Sequence, residues 1–302
     1  MIVYRNSRIS KKFKKNVIAI GNFDGLHLGH QKVLNQARLQ AKKNNLKFGV
    51  VTFEPMPVMF FNKSLINHRI NSLEQKISFL KKSKLDFLII IKFNKKFSNY
   101  TPEKFIKNII YKNLKAKYIF VSKNFRFGKK RKGNIKTLKE NEKLFFYKTI
   151  IAKPLKKNKK ILSSTIIRRN ISKGNIIKAN EYLGRNWSIL GKVIKGKKRG
   201  RKIGFPTCNI KLNDYILPKP GVYSVQVKVK NFTRKGIANV GYRPTFNGKI
   251  LLLEVNIFGI KANLYDKSIK VSFINFVRAE KKFKNINQLK NQIKKDIKKV
   301  KI

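Results

Sequence analysis

Apolar residues in the first half of the chain alternate between short continuous runs and segments of helical period. The run at residues 17–20 precedes a helix-period segment at 28–43, and the run at 48–53 precedes another at 72–82. Further runs and helix starts follow at 87–91, 101–103, 118–121 and 144–150. This alternation predicts βαβ units and therefore a parallel sheet with helices on its faces.

The second half has strand-like runs that are separated by Gly, Pro and Asn. These runs lie near Val193 and at 222–229, 237–240, 251–258 and 269–276. Short strands broken by turn residues predict an antiparallel barrel or sandwich. A last segment, 286–300, has apolar residues at helical spacing and predicts an amphipathic helix with one face against the barrel.

The length of 302 residues favours two hydrophobic cores, because single domains usually stop growing near ~250 residues. We expect a Rossmann-like α/β domain with a parallel sheet over residues 1–183. A small antiparallel β-barrel domain with a C-terminal helix is expected over residues 184–302, with the boundary near Gly184.

The chain has 73 Lys and Arg against 13 Asp and Glu, a formal net charge of +60. Such a surplus ordinarily suggests nucleic acid or an anionic membrane as a partner. Here the lysines are scattered through both halves beside many Asn and Ile, as expected from an A/T-rich genome. Specific nucleic-acid binding is not expected, since no RRM-like or zinc-finger pattern is present. A basic nucleic-acid-binding protein with relic nucleotide loops is the alternative from another class.

The cysteine content and the apolar runs bear on the compartment. Cys208 is the only cysteine, so it has no partner for an internal disulfide. No apolar run approaches the ~20 residues needed to span a bilayer, and no secretory signal is evident at the N-terminus. A cytoplasmic protein without a membrane partner is expected.

A glycine-rich turn, GNFDGLHLGH at residues 21–30, lies between the first predicted strand and the first predicted helix. A helix N-terminus after such a turn presents N–H groups and the positive dipole end to phosphate. His27 and His30 lie within one helical turn and can both donate to one triphosphate, while Gly29 keeps the space between them open. Two unrelated histidines on a helix are the alternative, and zinc is disfavoured because no third ligand is evident. The candidate nucleotide-binding residues are Gly21, Phe23, Asp24, Gly25, His27, Gly29 and His30.

Three further motifs follow in order: FEPMP at 53–57, NFRFG at 124–128 and LSSTIIR at 162–168. With the turn, they resemble the flavin-adenylating branch of the HxGH nucleotidyltransferases, which implies adenylyl transfer from ATP and a nucleotide contact at Asn124. The residues of the last motif are Ser163, Ser164, Thr165 and Arg168. Its hydroxyls can cap a helix while binding phosphate, and its guanidinium can reach a triphosphate; an ordinary N-cap with a surface arginine is the alternative.

The resemblance is incomplete at three positions. Asn124 stands where the family usually has Asp, and Ser122 stands where Gly is common. Asn keeps hydrogen bonding but loses the charge. Met56 stands where His is frequent, so this side chain is expected to shape the pocket without carrying chemistry.

The segment GKKRGRKIGFPTCNI at 196–210 combines glycines, cations and a Pro-Thr-x-Asn sequence. Thr207 and Asn209 offer neutral oxygens, which suit Mg²⁺ when substrate phosphates supply the negative charge. The candidate residues for phosphate approach are Gly196, Gly200, Gly204 and Pro206. A basic surface turn is the alternative.

The motifs that follow this segment are GVY at 221–223, ANVG at 238–241, RPT at 243–245, Glu254 and RAE at 278–280. The series resembles the bacterial riboflavin kinase module, although Asn256 replaces a frequent His and Asp266 a usual Gly. The resemblance implies that Glu254 is the catalytic base and that Arg278 and Glu280 contact flavin. The latter two share one face of an extended segment and could instead pair with each other.

Together the halves resemble bacterial bifunctional enzymes of flavin biosynthesis. This implies phosphorylation of riboflavin to FMN by the second domain and adenylyl transfer from ATP to FMN by the first, giving FAD and pyrophosphate. A working kinase joined to an impaired adenylyltransferase is the first alternative, because of Asn124 and Ser122. The expected ligands are riboflavin, FMN, ATP and Mg²⁺, and the oligomeric state is not predicted.

Overall fold

In a computed structural model of the protein, the described residues are 1–157, 160–196, 199–212, 215–230, 232–245, 248–260 and 262–301. The chain divides into two compact units. The first unit comprises residues 1–65 and 76–163, and the second comprises 66–75 and 164–302. The expected boundary near Gly184 falls within the second unit, and as a boundary between functional domains it stays a prediction.

The first unit is built on a six-stranded sheet. Its strands are β1 (Ile2–Tyr4), β2 (Asn16–Ile20), β3 (Lys47–Glu54), β4 (Phe87–Lys92), β5 (Tyr118–Val121) and β6 (Lys148–Ile151). Their order is β1-β4-β3-β2-β5-β6, and every pair is parallel. All five residues of β2 are buried, because this central strand has helices on both faces. The parallel α/β sheet expected from the sequence is confirmed.

Helices of 4 to 16 residues lie between these strands, and a two-stranded hairpin follows β6. They are α1 (Leu28–Lys43), α2 (Pro57–Phe61), α3 (Leu73–Lys82), α4 (Lys95–Ser98), α5 (Pro102–Phe105), α6 (Ile135–Glu140) and α7 (Glu142–Phe145), with a π-helix at Ile106–Leu114 and a hairpin of β7 (Lys156–Lys157) and β8 (Lys160–Ile161). The strand predicted at 144–150 begins later than expected. Leu144 and Phe145 end α7, and Phe146 takes a left-handed conformation with φ 54° that stops the helix.

The second unit is a closed barrel with flanking helices. Its elements are α8 (Ser164–Ser172), α9 (Ile176–Leu183), β9 (Ser188–Ile194), α10 (Arg199–Lys202), β10 (Cys208–Lys211), β11 (Gly221–Val229), β12 (Phe232–Thr245), β13 (Gly248–Ile257), β14 (Ser268–Arg278) and α11 (Ile286–Lys301). The strand order is β10-β13-β12-β11-β14-β9, and all pairs are antiparallel. The predicted barrel and the C-terminal helix are confirmed.

Residues 66–75 belong to the second unit although they lie early in the chain. The Trp187 indole N–H donates to the Ile70 carbonyl at 2.9 Å, and Trp187 is almost completely buried. Gln75 Nε2 donates to the Ser188 carbonyl at 3.0 Å, and the Ile216 N–H donates to the Arg69 carbonyl at 2.7 Å. This short segment is therefore a structural part of the barrel unit.

Candidate functional sites

The turn at residues 21–27 connects the buried strand β2 to the N-terminus of α1. Three of its residues have positive φ angles: Phe23 with φ 47°, Gly25 with φ 80° and Leu26 with φ 36°. Asp24 is 3% exposed, so its carboxylate is held within the turn. The turn thereby brings the chain from the carboxyl end of a central parallel strand directly into a helix, the usual location of phosphate sites.

His27 is the N-cap of α1. Its Nδ1 accepts a hydrogen bond from the His30 backbone N–H at 3.2 Å, so any proton on a neutral His27 ring is on Nε2. The two imidazole rings stack with centroids 3.7 Å apart and planes 19° apart. A Cβ at Gly29 would lie 3.0 Å from the His27 ring, which explains the glycine between the histidines. Both rings are held together at one helix end.

An aromatic series, which sequence analysis did not identify, lies at the carboxyl ends of neighbouring strands. Ring contacts with centroid distances of 5.2–6.3 Å connect it from β3 through the segment after β4 to the loop after β5. Its members are Phe53, Phe60, Phe61, Phe93, Phe97, Tyr100, Phe105, Phe125 and Phe127. Phe61 is 67% exposed, whereas Met56 is 2% exposed and packs in the core. The sequence shows that these aromatic residues are present, but only the order of the strands in the sheet shows that they are neighbours.

Asn124 and Ser122 follow β5, which is the neighbour of β2 in the sheet. Both residues are exposed. The Phe125 N–H donates to the Ser122 carbonyl at 3.0 Å and closes a tight turn around Asn124. Because parallel strands end at the same edge of a sheet, this turn and the turn at residues 21–27 lie at the same edge.

The last motif of the first half crosses the border between the compact units. Ser163 is the last residue of the first unit, and Ser164 begins α8 in the second unit. Thr165 is exposed and Arg168 is half-buried. Burial lowers the pKa of His68 below its ordinary value of 6.5, and the nearby charges of Arg168 and Arg69 lower it further. The third histidine of the chain, which sequence analysis left unassigned, is thus beside the arginine of this motif.

The lowered pKa of His68 predicts a loss of stability on acidification. The unfolded chain takes up a proton at His68 at higher pH than the folded chain does, so its effect appears as pH falls through 6.5. We expect the melting temperature to fall between about pH 7.5 and about pH 5.5, and to fall less in His68→Gln. An identical pH profile in this variant would contradict the assignment.

A row of residues crosses the outer face of the barrel at one level. Glu254 on β13 is directly opposite Asn209 on β10 and Asn239 on β12. Val222 on β11 is opposite both Asn239 and Arg278 on β14. Directly opposite residues in antiparallel strands point to the same side, so these side chains share one face. The row brings together three residues that the sequence predicted for one site, and adds Asn239, which it did not.

Asn209 fits the metal role expected from the sequence. Its side chain is 5% exposed, and its Oδ1 has no hydrogen-bond partner among the described residues. A Cβ at Gly196 would collide with Asn209 Nδ2, so the glycine permits the amide to pack against the backbone. Thr207 lies two residues before Asn209 in an extended segment, and hence on the same side. A buried neutral oxygen without a donor, beside a hydroxyl, suits Mg²⁺.

The loop before β10 is shaped by its glycines. Gly204 has φ 88°, which a residue with a side chain rarely adopts, and a Cβ at Gly200 would collide with the Phe205 carbonyl. Pro206 is exposed and its carbonyl accepts from Asn256 Nδ2 at 2.7 Å. Lys197 and Lys198, part of the expected cation cluster, lie outside the described residues.

A cavity of about 70 Å³ lies beside this loop. Its walls include Arg201, Thr207, Cys208, Leu264 and Tyr265. Burial raises the pKa of the Cys208 thiol, which keeps the thiol protonated at neutral pH. The cavity thus has an apolar wall and a polar edge next to the candidate metal ligands.

Arg278 is paired with the C-terminal helix. Its Nε donates to Asp296 Oδ2 at 2.9 Å and its Nη2 lies 2.8 Å from the same oxygen, with Asp296 only 2% exposed. Gln292 Nε2 also donates to Asp296, at 2.8 Å. The pairing of Arg278 with Glu280 that the sequence left open is not the one observed in the described part of the chain. The Glu280 carboxylate instead lies over Gly241, where a Cβ would overlap it.

Comparison with known proteins assigns a family to each half. Residues 9–166 match the family model for FAD synthetase, and residues 183–302 match that for riboflavin kinase. A protein of Buchnera aphidicola subsp. Schizaphis graminum is 43% identical over 297 residues, covering 96% of this chain and 95% of its own. Relatives in Bacillus subtilis (37% over 300 residues; 98% and 94%) and Escherichia coli K12 (32% over 281 residues; 93% and 90%) match similarly. All three are named bifunctional riboflavin kinase/FMN adenylyltransferase.

A solved structure is also similar over nearly the whole chain. It is a crystal structure described as a macrolide-efflux protein from Streptococcus pneumoniae, with a TM-score of 0.89 and 30% identity, covering 99% of this chain and 98% of that one. The likeness supports the fold. Among the described residues of the present chain, every helix is too short or too polar to cross a membrane.

Proposed function

Because the chain belongs to the family of bacterial bifunctional riboflavin kinases/FMN adenylyltransferases, which use ATP, we propose specific residues for each of its two reactions. The enzyme phosphorylates riboflavin to FMN and transfers AMP from ATP to FMN, giving FAD and pyrophosphate. We assign the adenylyl transfer to residues 1–183 and the kinase to residues 184–302.

In the adenylyl transfer, the FMN phosphate attacks the α-phosphorus of ATP and pyrophosphate leaves. The stacked pair of His27 and His30 at the N-terminus of α1 supports a role in stabilising the charge that develops on the phosphate oxygens. The hydrogen bond from the His30 N–H to His27 Nδ1 leaves His27 Nε2 as a donor. Gly21, Phe23, Asp24 and Gly25 shape the turn around the phosphates.

The remaining adenylyltransferase assignments rest on the family motifs. Asn124 hydrogen-bonds the substrate, the hydroxyls of Ser163, Ser164 and Thr165 bind phosphate, and Arg168 neutralises its charge. Most of the aromatic series packs in or against the core, but Phe61 is 67% exposed and favours an acceptor whose largest part is a flat ring system. The isoalloxazine of FMN has this chemistry.

In the kinase reaction, Glu254 takes the proton from the terminal ribityl hydroxyl while that oxygen attacks the γ-phosphorus of ATP, and ADP leaves. The observation that carries this proposal is the row in which Glu254 lies directly beside Asn209. Gly196, Gly200, Gly204 and Pro206 form the phosphate loop, and Arg278 and Glu280 border the flavin.

We assign Mg²⁺ to Thr207 and Asn209. The metal, when bound with ATP, would neutralise charge on the phosphates. The orphaned Asn209 Oδ1 supports this assignment. We further propose that the enzyme is cytoplasmic. We also propose that it has no specific nucleic-acid partner, because the positive charge is spread over both halves of the sequence.

The test is incubation of the purified protein with riboflavin, ATP and Mg²⁺, with products separated by chromatography. We expect FMN to appear first and FAD to follow, with both steps lost when EDTA removes the metal. FMN without FAD under excess ATP would leave a kinase whose adenylyltransferase is impaired by Asn124 and Ser122. Retention on DNA that persists at physiological ionic strength and weakens steeply as salt rises further, without either product, would instead favour the nucleic-acid-binding alternative.

A further inference from the structure

Asn239 is a polar residue beside Glu254 to which neither reaction gives a task. It lies on β12 between Ala238 and Val240, which are both completely buried inside the barrel. Alternation along the strand therefore puts the Asn239 side chain on the outer face, where it is half-buried. Because Asn239 is directly opposite Glu254, their Cβ atoms are roughly 5 Å apart.

The Asn239 side chain lies near the Glu280 carboxylate and opposite Glu254 in the strand register. Gly241 lies two residues further along β12 and faces the same side as Asn239. A Cβ at Gly241 would overlap Glu280 Oε1 and lie 3.1 Å from Asn239 Nδ2. The amide nitrogen thus stands near the Glu280 carboxylate on one side, and Glu254 stands across the strand pair on the other.

Within the part of the chain that the structure describes, the carboxamide of Asn239 makes no hydrogen bond. It therefore offers a donor and an acceptor at the same level of the barrel as the proposed base. We propose that Asn239 is a substrate-binding residue of the kinase site, where its carboxamide binds the ribityl hydroxyl next to the one that is phosphorylated.

The chemistry of the acceptor chain favours this ligand. A secondary alcohol donates one hydrogen bond and accepts others, so it matches both ends of a carboxamide. Hydroxyls on neighbouring carbons are close enough to be bound by two directly opposite side chains of a strand pair. Glu254 then binds the reacting hydroxyl and Asn239 binds the neighbouring hydroxyl. The two contacts fix the position of the ribityl chain relative to the base. The proposal rests on the assigned role of Glu254.

Steady-state kinetics of the kinase step in Asn239→Ala tests the proposal. We expect the KM for riboflavin to rise about 3- to 10-fold and kcat to change less than about twofold, because one hydrogen bond to bound substrate is lost. With 4′-deoxyriboflavin, which lacks the neighbouring hydroxyl, the wild-type enzyme should lose a similar factor and Asn239→Ala should lose none. Asn275→Ala, an exposed asparagine on β14 of the same barrel, is the matched control.

The other outcomes overturn the proposal. An unchanged KM shows that Asn239 does not touch the substrate, and a lower kcat at constant KM shows that it acts through Glu254. Equal loss with the deoxy substrate in both enzymes points to another partner for that hydroxyl. If Asn239→Ala fails to fold, as judged by a lost cooperative thermal unfolding transition of the barrel, Asn239→Ser is used. A kinase that survives Glu254→Gln would refute the assigned base while leaving the Asn239 measurement readable.

Discussion

Replacing Glu254 with Gln is expected to lower FMN formation from riboflavin by roughly 100- to 10,000-fold, the usual contribution of a general base. The amide keeps the size of the side chain but cannot take the proton from the ribityl hydroxyl. The rate of FAD formation from added FMN should stay within about twofold, because the adenylyl transfer uses residues of other motifs. Separate assays with riboflavin and with FMN as the acceptor measure the two steps.

Asp266→Asn is the matched control for this substitution. Asp266 is an exposed acid of the same unit that lies 3.0 Å from Lys192 Nζ, and such surface pairs contribute little. Its kinase rate should be close to wild type. An equal loss of kinase activity in Glu254→Gln and Asp266→Asn would argue that the effect is on folding and not on the proton transfer. Loss of both activities in Glu254→Gln would argue the same.

The complementary substitution, His30→Ala, is expected to lower adenylyl transfer by roughly 100- to 1,000-fold, as loss of one donor to a developing phosphate charge does. Formation of FMN from riboflavin should not change. The measurement is FAD formed from FMN under saturating ATP, with Asn35→Ala, an exposed residue of the same helix, as control.

His27 allows its structural and chemical contributions to be separated. His27→Asn retains a good N-cap acceptor for α1, whereas His27→Ala loses it at a cost of about 1 kcal/mol in unfolding free energy. Both variants lack the imidazole and should lose adenylyl transfer alike. If His27→Asn kept its activity, His27 would be only a helix cap, and the phosphate role would belong to His30 alone.

The two sites differ in how far the sequence could predict them. The glycine-rich turn is contiguous, so its position between a strand and a helix was readable from local pattern, and the structure has the same elements there. Asn209, Glu254 and Arg278 are separated by tens of residues. Their common level depends on the register of five strands, which no local pattern specifies. Asn239 lies within the ANVG motif at 238–241, but only the strand register shows that it is directly opposite Glu254.

Long-range partners were also beyond sequence reasoning. The sequence left open a pairing of Arg278 with Glu280, whereas the observed ion pair of Arg278 is with Asp296, 18 residues further along the chain on α11. Arg278 at the end of a strand and Asp296 on a helix are both common in such positions. No local sequence pattern distinguishes Asp296 from Glu280 as the partner of Arg278. The aromatic series shows the same limit, because its rings come from three different strand ends.

The early segment 66–75 has a consequence for synthesis of the chain. Its partners Ser188 and Tyr215 are made 113 and 148 residues later, respectively. At typical elongation rates of about 5–20 residues per second, the segment is synthesised roughly 6–30 s before those partners are. A gene fragment that starts at Gly184 would never contain the segment, and the Trp187 indole would then lack its acceptor. In such a fragment, the barrel would have to fold without residues 66–75, which in the full chain are synthesised before the barrel strands.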